Sequence, residues 1–274
     1  MTGGPSRPVP ARYGDPASRP VPGAGQRAVR SGAGEDAGRR PSRDRLRHRA
    51  FFYSSDAEFR DAATAYLAEG AAAGDVLVVI LPGPRRRLLA GGALGGAEIE
   101  FLDAADWYGG PTRTLAAFHE RGRTDWWRRG RLRVLAEPPW DGRSPLELVE
   151  WQRHEALLNV VFDATSTILT CAYDIRSVPG EVLSDAARTH PVFADAAGEW
   201  GNPSYADPAD FYAECNRSPL GPPPLAAAHR GFTTGQLPDV RDFLSGQAER
   251  FGLPQARRLP FLLAANEVAT AVIR

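Results

Sequence analysis

The stretch RAFFYSSDAEFRDAATAYLAEGAAAGDVLVVIL, residues 49–81, carries the reading on which the fold turns. Its first residues, Arg49 to Tyr53, are apolar and aromatic, which predicts a strand. Ser54, Ser55 and Asp56 then open a helix, with Ser55 and Glu58 spaced as a capping box. Phe59, Ala62, Ala63, Tyr66 and Leu67 recur at helical spacing and predict one buried stripe. Gly74 stops that helix. Val76 to Leu81 is apolar without alternation, the pattern of a strand covered on both faces. Strand, helix and doubly covered strand in succession predict an α/β domain built on a parallel sheet.

The same alternation continues outward. A short Arg-rich helix from Pro84 to about Ala90 precedes a strand at Ile99 to Leu102. Pro111 starts a helix with Leu115 and Phe118 inward, and Leu132 to Ala136 is a further strand. Ser144, Pro145 and Glu147 form a second capping box with proline at the first helical position. That helix is expected to run to about Phe162 and to be followed by a strand at Ile168 to Tyr173. A helix from Pro179 ends before His190, because the residue preceding Pro191 avoids the helical region. The expected class is α/β, a mostly parallel sheet flanked by helices, with a short C-terminal helical segment. Residues 1–43 hold seven Pro and eight Gly without apolar periodicity and are expected to be a disordered tail. The main domain is expected over 44–215, with weak patterning after 194. A Pro-rich linker at 216–230 and two helices within 231–274 follow, the second kinked or delayed by Pro260.

Composition removes several function classes. Thirty-three basic and thirty-three acidic residues balance, so bulk charge points to neither a nucleic-acid nor a membrane partner. Every basic residue other than histidine is arginine, a composition expected of a GC-rich, actinobacterial type of genome. The absence of lysine excludes a Walker phosphate loop, a Schiff base and a Ser–Lys dyad. Two cysteines provide neither a disulfide framework nor a zinc cluster of recognisable spacing. Without an apolar run long enough for a membrane span or signal peptide, the cytosol is the expected location.

The turn after the first strand has no glycine, and its acids would repel phosphate. Ligands of open parallel sheets bind beyond the carboxyl ends of the strands. Those ends carry Tyr53 with Asp56, Asp103 with Asp106 and Trp107, Glu137 with Trp140, and Tyr173 with Asp174. Such a set suits an amine, a metal or a small polar organic molecule; equally, acids at strand ends cap helices and meet water. On the helix from Pro145, Val149, Ala156, Leu157, Val160 and Val161 are expected to be buried, with Arg153 among them. A cation there requires a carboxylate. Glu137 and Asp174 are the favoured partners, Glu150 and Glu147 the local alternatives. Glu155 and Asn159 share an adjacent face. His48 and His190 fall at opposite ends of the domain, and neither has metal-ligand spacing with another residue.

Several separated motifs carry a resemblance. The run from His48 to Glu58, Gly74 with Asp75, Glu137 to Trp140, the Glu150, Arg153, His154, Glu155, Asn159 set, and Tyr173 with Asp174 together resemble the MEDS domain. This is the methanogen/methylotroph, dichloromethane-regulator sensory domain, and the resemblance covers about residues 46–200. It implies a degenerate RecA/KaiC-like fold without a phosphate loop and a role in sensing small organic molecules. His48, Tyr53, Asp56, Glu58, Glu137, Arg153, Glu155, Asn159, Tyr173 and Asp174 are the ligand-sensing candidates; no catalytic residue and no metal are expected. Residues Leu262 to Thr270 resemble the N-box helix of GHKL ATPases of the anti-sigma-factor serine-kinase branch, with Asn266 and Glu267 in the motif. Ala271 stands where that family has a magnesium-holding Asn, and the sequence stops before the lid motifs. The expected ATP site is therefore incomplete, and no cofactor is expected; ATP and magnesium would enter only if that segment were complete. The implied function is cytosolic signalling: a small organic ligand alters contacts with a sigma-factor or anti-sigma-antagonist partner. The alternatives are an active ATP-dependent anti-sigma kinase and a stand-alone small-molecule enzyme.

Overall fold

The computed structural model describes residues 45–89, 96–195, 198–217 and 221–273. The expected tail at 1–43 lies outside them. Chain contacts divide the protein into two units between residues 218 and 219.

The first unit is a seven-stranded sheet in the order β3-β2-β4-β5-β1-β6-β7. Its strands are β1 (Arg47–Tyr53), β2 (Val76–Leu81), β3 (Ile99–Asp103), β4 (Leu132–Ala136), β5 (Thr167–Asp174), β6 (Val192–Asp195) and β7 (Gly198–Gly201). All neighbours run parallel except β6 and β7. Every residue of β2, β4 and β5 is buried, as doubly covered strands require. Helices α1 (Asp56–Ala73) and α2 (Gly83–Leu89) cover one face. Helices α3 (Ala104–Trp107), α4 (Pro111–Arg121), α5 (Trp127–Arg129), α6 (Pro145–Val161), α7 (Gly180–Thr189) and α8 (Pro208–Cys215) complete the unit.

Alternation along the strands separates two cores. Ala50, Val78, Val134, Leu169, Cys171 and Tyr173 pack with Trp151, Leu158 and Val182 beneath α6 and α7. Phe51, Tyr53, Val79, Leu135 and Ala172 face the other way and pack with Phe59, Ala63 and Leu67 of α1. The β1 chain leaves through α1 toward β2, whereas β5 leaves through α7 toward β6 on the other side of β1. The carboxyl ends of β1 and β5 are therefore a topological switch point, where open α/β sheets bind ligands.

Local signals hold where they are steric. Gly74 caps α1 with φ 72° in the left-handed region. The Ser144–Glu147 capping box is formed in both directions. At α1 the box is displaced: Ser55 accepts from the Glu58 amide, but the Glu58 carboxylate accepts from the backbone and hydroxyl of Ser54. The weakly patterned region after 194 contains β6, β7 and α8, the last capped by Asp207. Among the described residues, no helix is long and apolar enough to cross a membrane.

The second unit contains α9 (Leu237–Arg250) and α10 (Gln255–Val272). Pro260 neither breaks nor delays α10. It sits in the second turn, where it removes one backbone donor near a helix end that already leaves amides unpaired.

Candidate functional site

Helix α6 positions the principal cluster. Its buried residues include Leu148, Trp151, Glu155 and Leu158, which recur every three or four positions with Phe162 just beyond the helix end, and Gln152, His154 and Ala156 beside them. Glu155, 3% exposed, lies in the middle of this apolar stripe. Of the expected stripe Val149, Ala156, Leu157, Val160 and Val161, Ala156 is buried, Val149 and Leu157 are half-buried, and Val160 and Val161 are exposed. The helix is rotated because a carboxylate occupies a core position, and two imidazoles make that burial possible.

Those imidazoles are His48 and His190. His48 lies on β1, on the α6 side of the sheet, and parallel pairing sets Ala50 beside Cys171 of β5. His190 follows α7, where Pro191 forces it into extended backbone and ends the helix. Its carbonyl accepts from Asn202 Nδ2 at 2.6 Å. Because β6 pairs with β1, the two histidines expected at opposite ends of the domain are neighbours, with ring centroids 4.0 Å apart. Each places Nε2 3.5 Å from Glu155 Oε2. Cys171 Sγ lies 3.4 Å from His48 Nε2 and 3.5 Å from Glu155 Oε2. The four ligand atoms fall within 4.8 Å of one another.

The outer ring nitrogens are already occupied. His48 Nδ1 donates to Asn159 Oδ1 at 3.1 Å, and Asn159 Nδ2 is fixed by the Thr189 carbonyl at 2.8 Å. His190 Nδ1 donates to the Ala186 carbonyl at 2.8 Å. Burial, and secondarily the neighbouring His190, push the His48 imidazole down to about 4, so it is neutral at pH 7. Burial alone would raise the Glu155 carboxyl, but the facing imidazoles of His190 and His48, as donors and as charges when protonated, outweigh it and hold the group below its usual range. An ionised carboxylate requires donors, while a neutral His48 presents a lone pair to it.

At the carboxyl ends of the strands the cluster borders two aromatic side chains, Tyr173 and Trp140. Tyr173 is fully buried, contacts His190 edge-on and stacks on Trp140 at 6.0 Å. Burial raises the Tyr173 phenol well above its ordinary value, so it remains a donor. Among the described residues, Tyr173 Oη, Trp140 Nε1 and His190 Nε2 are buried without a hydrogen-bond partner.

On the opposite face, a second group occupies the switch point. Tyr53 donates to Glu137 at 3.0 Å. Arg85 of α2 binds Asp56, Asp174 and Glu137, and Arg176 binds Asp56 and Asp174. Hydrogen bonds from Arg176 hold the Asp174 carboxyl below its usual range, whereas burial raises Glu137 to about 7. The acids expected to line an open pocket are thus bound by arginines that strand-end reading alone did not include. Asp103 accepts from the Ala105 amide and caps α3.

The remaining candidates lie elsewhere. Glu58 caps α1. Arg153 does not meet Glu137 or Asp174: it binds Glu150 at 2.8 Å and the Cys215 carbonyl at 2.9 Å, beside the Tyr212 ring. It faces α8 because the true stripe of α6 is turned away from it. Asn266 accepts from Arg241 in the second unit, and Glu267 is exposed there. A cleft of about 310 Å³ on the α1 side contains Arg49 and Arg133. Its charges are matched internally, Arg49 by Thr170 and Glu199, Arg133 by Asp75 and Glu69.

The model of the MEDS family, described as the methanogen/methylotroph, DcmR sensory domain, matches residues 47–191, more than half of the chain. The chain belongs to the MEDS family. The matched MEDS segment contains β1 through α7 and ends just after His190, so it includes all four residues of the buried cluster. No curated protein and no solved structure matches the chain.

Proposed function

We propose that this MEDS protein is a signalling sensor that binds a small oxygen-bearing organic molecule beside Tyr173 and beneath Trp140. The carrying observation is the pair of buried donors, Tyr173 Oη and Trp140 Nε1, that have no acceptor among the described residues. A buried polar group without a partner costs about 1–3 kcal/mol, which a ligand oxygen would recover. Alcohols, aldehydes and ketones have the required acceptor and a small apolar remainder suited to the aromatic wall. The acidic edge is less suited, because a ligand there would have to displace Arg85 or Arg176.

The output is proposed to be altered contact with a sigma-factor or anti-sigma-antagonist type of protein, in the cytosol, without nucleic-acid or membrane binding. The GHKL-like resemblance around Asn266 and Glu267 supports that partner class. Ala271, where the resemblance calls for a magnesium-holding Asn, supports regulation without ATP turnover. A thermal-shift screen of small alcohols, aldehydes and ketones against the full chain tests the ligand reading. A ligand at 100 times its Kd adds about 2.7 kcal/mol and raises Tm. Tyr173→Phe should abolish the rise; absence of any rise with the wild-type chain, or its survival in Tyr173→Phe, refutes the reading.

A further inference from the structure

The inner ring nitrogens of His48 and His190 share one chemical problem. Both Nδ1 atoms are committed as donors, to Asn159 Oδ1 and to the Ala186 carbonyl. The Asn159 amide cannot usefully invert, because its Nδ2 faces the carbonyls of Thr189, Ala156 and Glu155. With Nδ1 so committed, an imidazole that carries a single proton has its lone pair on Nε2. In that form both lone pairs point to Glu155 Oε2, which accepts from the Cys171 thiol on the fourth side. Among the described residues, the ion-pair partners of Glu155 are these two histidines alone. Four candidate metal ligands thus converge where, among the described residues, no arginine, the counter-charge used on the other face of the sheet, pairs with Glu155.

From this geometry we infer a previously unassigned metal site: His48 Nε2, His190 Nε2, Glu155 Oε2 and Cys171 Sγ bind one divalent ion of the zinc and cobalt class. Four of the six separations fit a tetrahedral ion. Zinc bonds of ~2.0–2.3 Å in a tetrahedron place ligand atoms about 3.3–3.6 Å apart. Four of the six ligand-atom separations are 3.4, 3.5, 3.5 and 3.5 Å, and all six lie within 4.8 Å. The donor set of two imidazoles, a thiolate and a carboxylate selects a borderline transition ion over magnesium or calcium, which prefer oxygen. The orienting shell is also present, since each histidine gives its other N–H to a carbonyl. A proton on one imidazole relieves one facing pair; a metal ion relieves all four. Binding would release the Cys171 thiol proton to solvent and leave the thiolate as ligand.

Four protein ligands and burial of all four residues mark a closed site, which ties elements together rather than presenting an open position for catalysis. The ion would join β1, β5, α6 and the α7–β6 junction. The inference goes beyond the organic-ligand reading and uses neither Tyr173 Oη nor Trp140 Nε1. Each can therefore fail without the other.

The test uses the full chain. Protein purified from zinc-supplemented culture should carry one zinc ion per chain by elemental analysis. Cobalt added during refolding should give intense visible bands of tetrahedral Co(II) and a near-ultraviolet thiolate-to-cobalt band. Cys171→Ser should remove the thiolate band, while Cys215→Ser should keep it. Glu155→Gln should weaken cobalt binding at least tenfold. Should a cluster variant fail to fold, the wild-type spectrum together with Cys215→Ser still decides. Absence of bound zinc together with a featureless or octahedral cobalt spectrum overturns the inference and leaves a proton-bonded cluster. So does a thiolate band that follows Cys215.

Discussion

The two faces of the sheet handle buried acids in opposite ways. On the α1 face, Asp174 and Glu137 are met by Arg85, with Arg176 added at the solvent rim. On the α6 face, Glu155 is met, among the described residues, by imidazoles and a thiol alone. A guanidinium has no lone pair and saturates a carboxylate with fixed donors. An imidazole whose outer nitrogen is committed turns an acceptor inward. The first arrangement is complete in itself and can adjust through water; the second retains unused ligand capacity in a dry interior. The same residue type is therefore part of a structural network on one face and of a candidate site on the other.

The contrast predicts graded effects. The largest is expected for Glu155→Ala, which leaves the buried histidines opposite a void and should cost ~3–5 kcal/mol in denaturant unfolding. A loss below about 1 kcal/mol would show that the interior cluster is no more demanding than the edge.

Next is the pH response of Glu137. Its carboxyl titrates near 4.5 when unfolded and at about 7 in the folded protein. Between those values the native state holds a proton that the unfolded state has released. The contribution of this group is unchanged below 4.5, becomes less favourable as pH rises to 7, and is flat above. Relative to Glu137→Gln, the wild-type chain should therefore lose about 2–3 kcal/mol of stability across that window. Parallel stability–pH curves for the two proteins would contradict the assignment.

Asp174→Asn should cost less, about 1–2 kcal/mol, because Arg85 and Arg176 retain Asp56 and reach water. Equality with the Glu155→Ala loss would make the edge as closed as the core. The smallest effect is expected for Arg153→Met, at most about 1 kcal/mol, because its Glu150 partner is local and partly solvated. It should leave organic-ligand affinity unchanged. A loss above about 2 kcal/mol would restore the expectation of a demanding cation on this helix.

Legibility followed the range of the interaction. Gly74, Pro111, Ser144 and Pro191 act within a turn of chain, and each sets a helix boundary near its expected place. The α6 register was obscured because an ion occupies a core position, and periodicity counts that position as surface. His48, Glu155, Asn159 and Tyr173 were all recognised as candidates, yet His190 and Cys171, which complete their cluster, had no shared spacing to reveal them. Arg85 and Arg176 were likewise silent until the ends of β1, β4 and β5 came together.

By itself the sequence determined an α/β sheet, because apolar runs such as Val76 to Leu81 can be buried only between two layers. It also determined the family, through motifs carried by short segments, and it excluded lysine-dependent chemistry by composition. Tertiary structure alone decided which charges share an environment. Strand alternation sends His48 and Tyr53 to opposite faces, while the order β5-β1-β6 brings residues 48, 155, 171 and 190 within one ligand sphere. The physical reason is that side-chain direction is local to a strand, whereas the partner of a charge is set by which strands and helices lie beside it.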